Sequence, residues 1–109
     1  METVEFARQG DVKVDRVELL PADLLLQPTV EDGLNVLAYG EVTGHKHCFR
    51  EPHVKLYSND NMLFLVIEGK PATLYHEEHD PITFAPGIYR VRRQREWSDK
   101  DEKIIIVVD

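Results

Sequence analysis

All five histidines of the chain fall between His45 and His79. Two of them form Gly44-His45-Lys46-His47. Residues two apart on a strand point to the same face, so both imidazoles would project in one direction, as a strand offers two ligands to one metal ion. Glu51 follows four residues after His47 and could add a hard oxygen. Further on, His76-Glu77-Glu78-His79 precedes Pro81. If this stretch turns off the end of a strand, one of its histidines completes a site. The expected ligands are His45, His47 and His79, with His76, Glu51 and Glu77 as further ligands or supporting neighbours. Neutral imidazoles with or without a carboxylate suit Zn, Fe, Mn or Ni, and the spacing does not choose among them. The alternative is that these are hydrogen-bonded surface residues with no cofactor, as His53 beside Pro52 is read to be. His-Glu-Glu-His is not the metalloprotease helix motif, whose histidines stand four apart.

A second feature is Arg90, Arg92, Arg93 and Arg95, within six residues and with no acid among them. On a strand, Arg93 and Arg95 share the face of Tyr89 and Val91, while Arg90 and Arg92 share that of Ile88. One reading is an anion site built from guanidinium groups. The other, preferred, is pairing with the chain's own acids. In a mixed case Arg93 or Arg95 holds Glu77 or Glu78 and so orients a neighbouring histidine. Cys48 points away from His45 and His47 on a regular strand and reads as a small core residue.

The elements that must carry these residues are strands. Apolar residues recur at two-residue spacing, and Gly and Pro interrupt them at short intervals. Strands are expected over 11–19, with a bulge near Asp15-Arg16 where the apolar face switches, and over 34–42, 46–50, 54–57, 62–67, 72–76, 82–84, 88–97 and 104–108. Ser58-Asn59-Asp60-Asn61 should join a hairpin. Residues 21–27 could make one helical turn. The apolar run Ile104–Val108 reads as a central or barrel-closing strand. So many short strands favour an all-β fold, a small closed or partly open barrel or roll, which disposes of exposed edges. A cupin-like jelly roll falls within that class.

The chain has 109 residues, which suits a single domain over 1–109. Its longest apolar run is far too short to span a membrane as a helix, and no signal peptide is recognised. The single cysteine suits the cytoplasm. With Lys+Arg 13 against Asp+Glu 20, the net charge of −7 disfavours nucleic acid and anionic lipid as partners.

Two resemblances carry further. His45-x-His47-x3-Glu51 resembles the first metal-binding motif of cupins, and Phe84-Ala-Pro-Gly87 resembles the turn of their second motif. Arg90 stands in the neighbourhood where that second motif carries a histidine. The cupin resemblance implies a metal-dependent enzyme acting on a small molecule. The longer pattern is Gln9-Gly10-Asp11-Val12, Gly40-Glu41-Val42-Thr43-Gly44-His45-x-His47, His76-Glu77-Glu78-His79-x-Pro81-Ile82 and Pro86-Gly87-x-Tyr89-x-Val91-x-x-Gln94-Arg95-Glu96. It resembles a family of short, functionally uncharacterised bacterial and phage-associated proteins, and implies a shared fold and a shared use of these polar residues. The combined expectation is a small cytoplasmic β-barrel with a histidine-based metal or polar-ligand site. It would serve as an accessory module that docks on a protein partner or self-associates.

Overall fold

The computed structural model describes residues 2–30, 33–40 and 44–93. Ten strands follow in order: β1 Phe6–Gln9, β2 Val12–Val17, β3 Leu25–Leu26, β4 Asn35–Tyr39, β5 Lys46–Phe49, β6 Val54–Ser58, β7 Leu63–Ile67, β8 Ala72–His76, β9 His79–Phe84 and β10 Gly87–Arg93. They make a six-stranded sheet, β1-β2-β10-β7-β6-β3, and a four-stranded sheet, β4-β5-β8-β9, and every strand pairing in them is antiparallel. No helix among the described residues is long and apolar enough to cross a membrane.

The two sheets pack around one apolar core. Val12, Val14, Leu65, Tyr89 and Val91 enter it from the larger sheet, and Phe49, Leu74 and Phe84 from the smaller. Phe84 meets Tyr89 edge-on with ring centroids 5.3 Å apart, a favoured aromatic geometry. The Tyr89 hydroxyl donates to the Ala85 carbonyl at 2.6 Å, so the buried ring leaves no polar atom unmet.

The architecture is a partly open roll. At one seam Val4 bridges to Phe84, with Val4 N donating to Thr83 O and Ala85 N to Val4 O, which stitches the segment before β1 to β9. At the other seam β3 and β4 are both edges, and among the described residues the sheets do not close. Two buried amides tie the layers across the gap: Asn35 on β4 donates to Val54 O on β6, and Gln9 on β1 donates to Leu74 O on β8.

Two expectations change. The register of β2 with β1 and with β10 runs without a break, so there is no bulge at Asp15-Arg16. The apolar face does not switch there: Val12, Lys13 and Val14 are all buried because the first half of β2 is covered on both faces. Residues 21–27 form no helical turn. Leu25 and Leu26 pair with Ser58 and Tyr57 as an edge strand. The strand expected over 88–97 is described as far as Arg93, and the expected strand 104–108 lies outside the described residues, as does Arg95.

Phe84→Ala should destabilise the fold by about 3–5 kcal/mol in denaturant unfolding, as for truncation of a fully buried aromatic. Leu19→Ser, at a position 80% exposed, should stay within about 0.5 kcal/mol of the parent.

Candidate functional site

The histidines gather at one end of the roll, on the smaller sheet. His45 precedes β5 and His47 lies on it, His76 ends β8, and His79 starts β9 across the Glu77-Glu78 turn. The His76 ring is central. Its centroid lies 4.3 Å from that of His47, 4.6 Å from His79 and 5.7 Å from His45. His47 and His79 stack with centroids 5.9 Å apart. Both irregularities of the smaller sheet adjoin this cluster. One falls between Val36 and Ala38, opposite Cys48 and His47, and the other between Leu74 and His76. In the second, β9 carries the extra residue and includes Pro81, which has no N–H to give a ladder. Such bulges re-aim side chains near the end of a sheet.

The β1–β2 hairpin of the larger sheet folds over the cluster, and its tip is Gln9-Gly10-Asp11. Gln9 is 2% exposed. Its Nε2 donates to the carbonyls of Leu74 at 3.1 Å and Asp80 at 3.0 Å, which fixes which end of the amide is oxygen. Gln9 Oε1 therefore accepts from His47 Nδ1 at 2.9 Å. That bond puts the proton of the neutral ring on Nδ1 and leaves Nε2 as a lone pair. His47 Nε2 lies 3.8 Å from Asp11 Oδ1, and Asp11 Oδ2 accepts from Arg93 Nη2 at 2.9 Å and from Arg93 Nε at 3.3 Å. Gly10, at φ +60°, passes so close that an added Cβ would lie 3.0 Å from His79 Nε2 and 3.2 Å from His47 Cε1. Gly40 covers the other side, where a Cβ would lie 3.2 Å from His76 Nε2.

Burial dominates the electrostatics. It lowers the His47 pKa to about 4 from an ordinary 6.5, helped by the neighbouring His76 and opposed by Asp11. His76 is lowered too, first by burial and then by His79. Both rings are thus biased to the neutral form that a metal requires. Toward solvent, one ligand atom from each of His45, His76 and Glu77 falls within 4.8 Å of the others. His45 Nδ1 is buried without a hydrogen bond and faces Glu78 Oε1 at 3.6 Å. Glu77 Oε1 accepts the Lys46 amide at 2.9 Å, the main cause of its lowered pKa. His76 Nδ1 accepts the Glu78 amide at 3.0 Å, which leaves the proton of the neutral ring on Nε2.

The structure therefore brings His45, His47, His76 and His79 together, with Glu77 beside them. Glu51 is engaged elsewhere: Oε2 accepts the Thr73 amide and Oε1 the Arg50 amide. Arg93 holds Asp11, not Glu77 or Glu78, and Arg92 approaches Asp15. Both arginines meet acids of β2 and its turn because β10 pairs directly with β2. His53 stands apart, bonded to Pro71 O. Arg90 pairs in register with Phe64 and Asp15 within the larger sheet. Sequence reasoning gave no site role to Gln9, Gly10 or Asp11. Their only signal was the Gln-Gly-Asp string itself, because their role depends on a contact between sheets.

Two outcomes follow. In metal-free protein the folded His47 takes up fewer protons than the unfolded chain between pH 4 and 6.5. Its contribution to stability is complete above about pH 6.5 and is lost as the pH falls toward 4, on the order of 3 kcal/mol. Denaturant midpoints measured across that window should fall with acid, and His47→Gln should flatten the slope. Gly10→Ala should cost about 1 kcal/mol or more through its positive φ and the clash with His79, read as a lowered Tm.

No curated protein and no solved structure gives a significant match to the chain. One family profile does, over residues 8–94, a span that includes Gln9, Asp11, all four clustered histidines and Arg93. The chain belongs to that family, described as a domain of unknown function, DUF8820.

Proposed function

We propose that this domain holds a divalent transition metal in its histidine cluster and works as a non-catalytic accessory module. The observation that carries the reading is the clamp on His47. A buried imidazole has its Nδ1 proton committed to Gln9 and its Nε2 lone pair left available beside the rings of His76 and His79. A hydrogen bond to the second ring nitrogen is how ligating histidines are held. The unpartnered His45 Nδ1 and the grouping of His45, His76 and Glu77 support it from the solvent side. To ligate through Nε2, His76 gives up the Glu78 amide, a cost of about 1 kcal/mol that is small beside a structural metal's binding energy. Zn, Fe, Mn and Ni all suit imidazoles joined by a carboxylate. A single cysteine fits a reducing cytoplasm, and the bacterial and phage setting of the resembled pattern belongs to the same proposal.

The test is elemental analysis of purified protein, before and after loading with zinc or nickel. A stoichiometric metal that is lost in His45→Ala/His47→Ala is the expected result, with affinity falling below about pH 6 as protons compete for the ligands. Gln9→Ala should weaken binding by roughly 10–100-fold while keeping all ligands. No metal in the parent after loading would overturn the reading.

The module part of the proposal draws on β3, a sheet edge among the described residues, on which Leu25 is 72% and Leu26 57% exposed. Exposed apolar edges invite strand pairing. A second copy of the chain is the occupant we place there. Light scattering should give a mass above 12.6 kDa that Leu25→Lys returns to it.

A further inference from the structure

On the opposite face of β5 from His47, a cavity of about 180 Å³ is lined by Leu34, Lys46, Cys48, Arg50, Tyr75, His76 and Glu77. Its floor follows from the strand period. Lys46, Cys48 and Arg50 share one face of the β5 line, and Cys48 pairs in register with Tyr75 of β8. Cys48 is 4% exposed yet stands outside the apolar core cluster, because its side chain closes this cavity and not the space between the sheets.

Arg50 decides the chemistry. Its Cζ sits 4.5 Å from the centroid of the Tyr75 ring, and the two side chains line the cavity together with Cys48. The Tyr75 ring positions it without neutralising it. The nearest acid in sequence, Glu51, spends its carboxylate on two backbone amides, and among the described residues no carboxylate pairs with the Arg50 side chain. An arginine stacked on an aromatic ring keeps its N–H edge for a planar or tetrahedral oxyanion. A fixed fork, an aromatic wall, an apolar side chain at Leu34 and a concave space form a small-ligand site. The volume compares with a 150 Å³ cavity that takes benzene, so the ligand has fewer than about 10 non-hydrogen atoms.

We infer that this cavity binds a small oxyanion, a carboxylate or phosphate, through the Arg50 guanidinium stacked on Tyr75. The site stands apart from the metal reading, since none of Arg50, Tyr75 and Cys48 belongs to the histidine cluster. It shares a wall with that cluster at His76 and Glu77, so an anion seated on Arg50 would lie beside whatever the histidines hold.

The experiment is an amide-shift titration of the full metal-free chain by NMR, with succinate in one arm and inorganic phosphate in the other. Saturable shifts confined to Lys46–Arg50 and Tyr75–Glu77 are expected, and the arm that saturates tells carboxylate from phosphate. Arg50→Gln should weaken binding tenfold or more. Arg50→Lys keeps the charge without the fork and should lose most of it too. Arg50 is exposed, so both variants should keep the parent's shift dispersion elsewhere. If neither anion gives saturable shifts at these residues, or if both variants bind like the parent, the inference falls. Succinate or phosphate binding that persists after metal loading is shown to fail would leave the anion site standing and remove only the metal reading.

Discussion

One side-chain amide connects most of what has been described. Gln9 sits on an edge strand of the larger sheet, yet its three hydrogen bonds go to β8, β9 and β5 of the smaller one. An amide buried this deeply must be satisfied or it costs about 1–3 kcal/mol. Only a narrow range of sheet separations and rotations satisfies all three partners at once. The same bonds that seat one layer on the other also select the His47 tautomer. Packing and site chemistry are therefore one constraint, and neither can drift without the other.

Around that amide the polarity is graded. His47 is enclosed and neutral, Asp11 and Arg93 compensate each other at the rim, and Glu77 and Glu78 stand in solvent. Gly10 and Gly40 take the places where a side chain would push the rings apart. The larger sheet contributes a lid of three residues at a hairpin tip, and the smaller sheet contributes every imidazole. This division suits a roll sealed at one seam, because the stitched edges β1 and β9 are the ones that bring the lid to the rings.

The all-β class, the hairpin of β6 and β7 and the strand 72–76 were legible because each rests on local signals, period-two alternation and turn residues. The meeting of the four histidine rings was legible in outline for the same reason, since His45 and His47 straddle one strand start and His76 and His79 one turn. What was hidden depended on pairing between distant segments. Pairing of the arginines with the chain's own acids was legible, but not which acid: Glu77 and Glu78 were candidates for Arg93 or Arg95, and β10 lies against β2, which gives Arg93 Asp11. Glu51 matched a ligand spacing, but the end of β5 turns it to the Thr73 amide. The bulge foreseen in β2 was inferred from a switch of apolar face, and β2 is instead buried on both faces over its first half. Leu25 and Leu26 read as a helical turn because nothing local shows that β6 offers them an open edge.

The sequence distance across the Gln9 clasp has a kinetic meaning. Gln9 reaches Asp80 across 71 residues, and Arg93 reaches Asp11 across 82. Contacts this remote pay their loop-closure entropy before they return any stabilisation, so they form late in folding. During synthesis, the hairpin tip emerges long before the strands that complete it. A growing chain that has made β1 through β7 holds two of the four clustered histidines and no carbonyl for the Gln9 amide to meet. The cluster is thus assembled in one late step, and the tautomer it presents is a property that only the finished roll possesses.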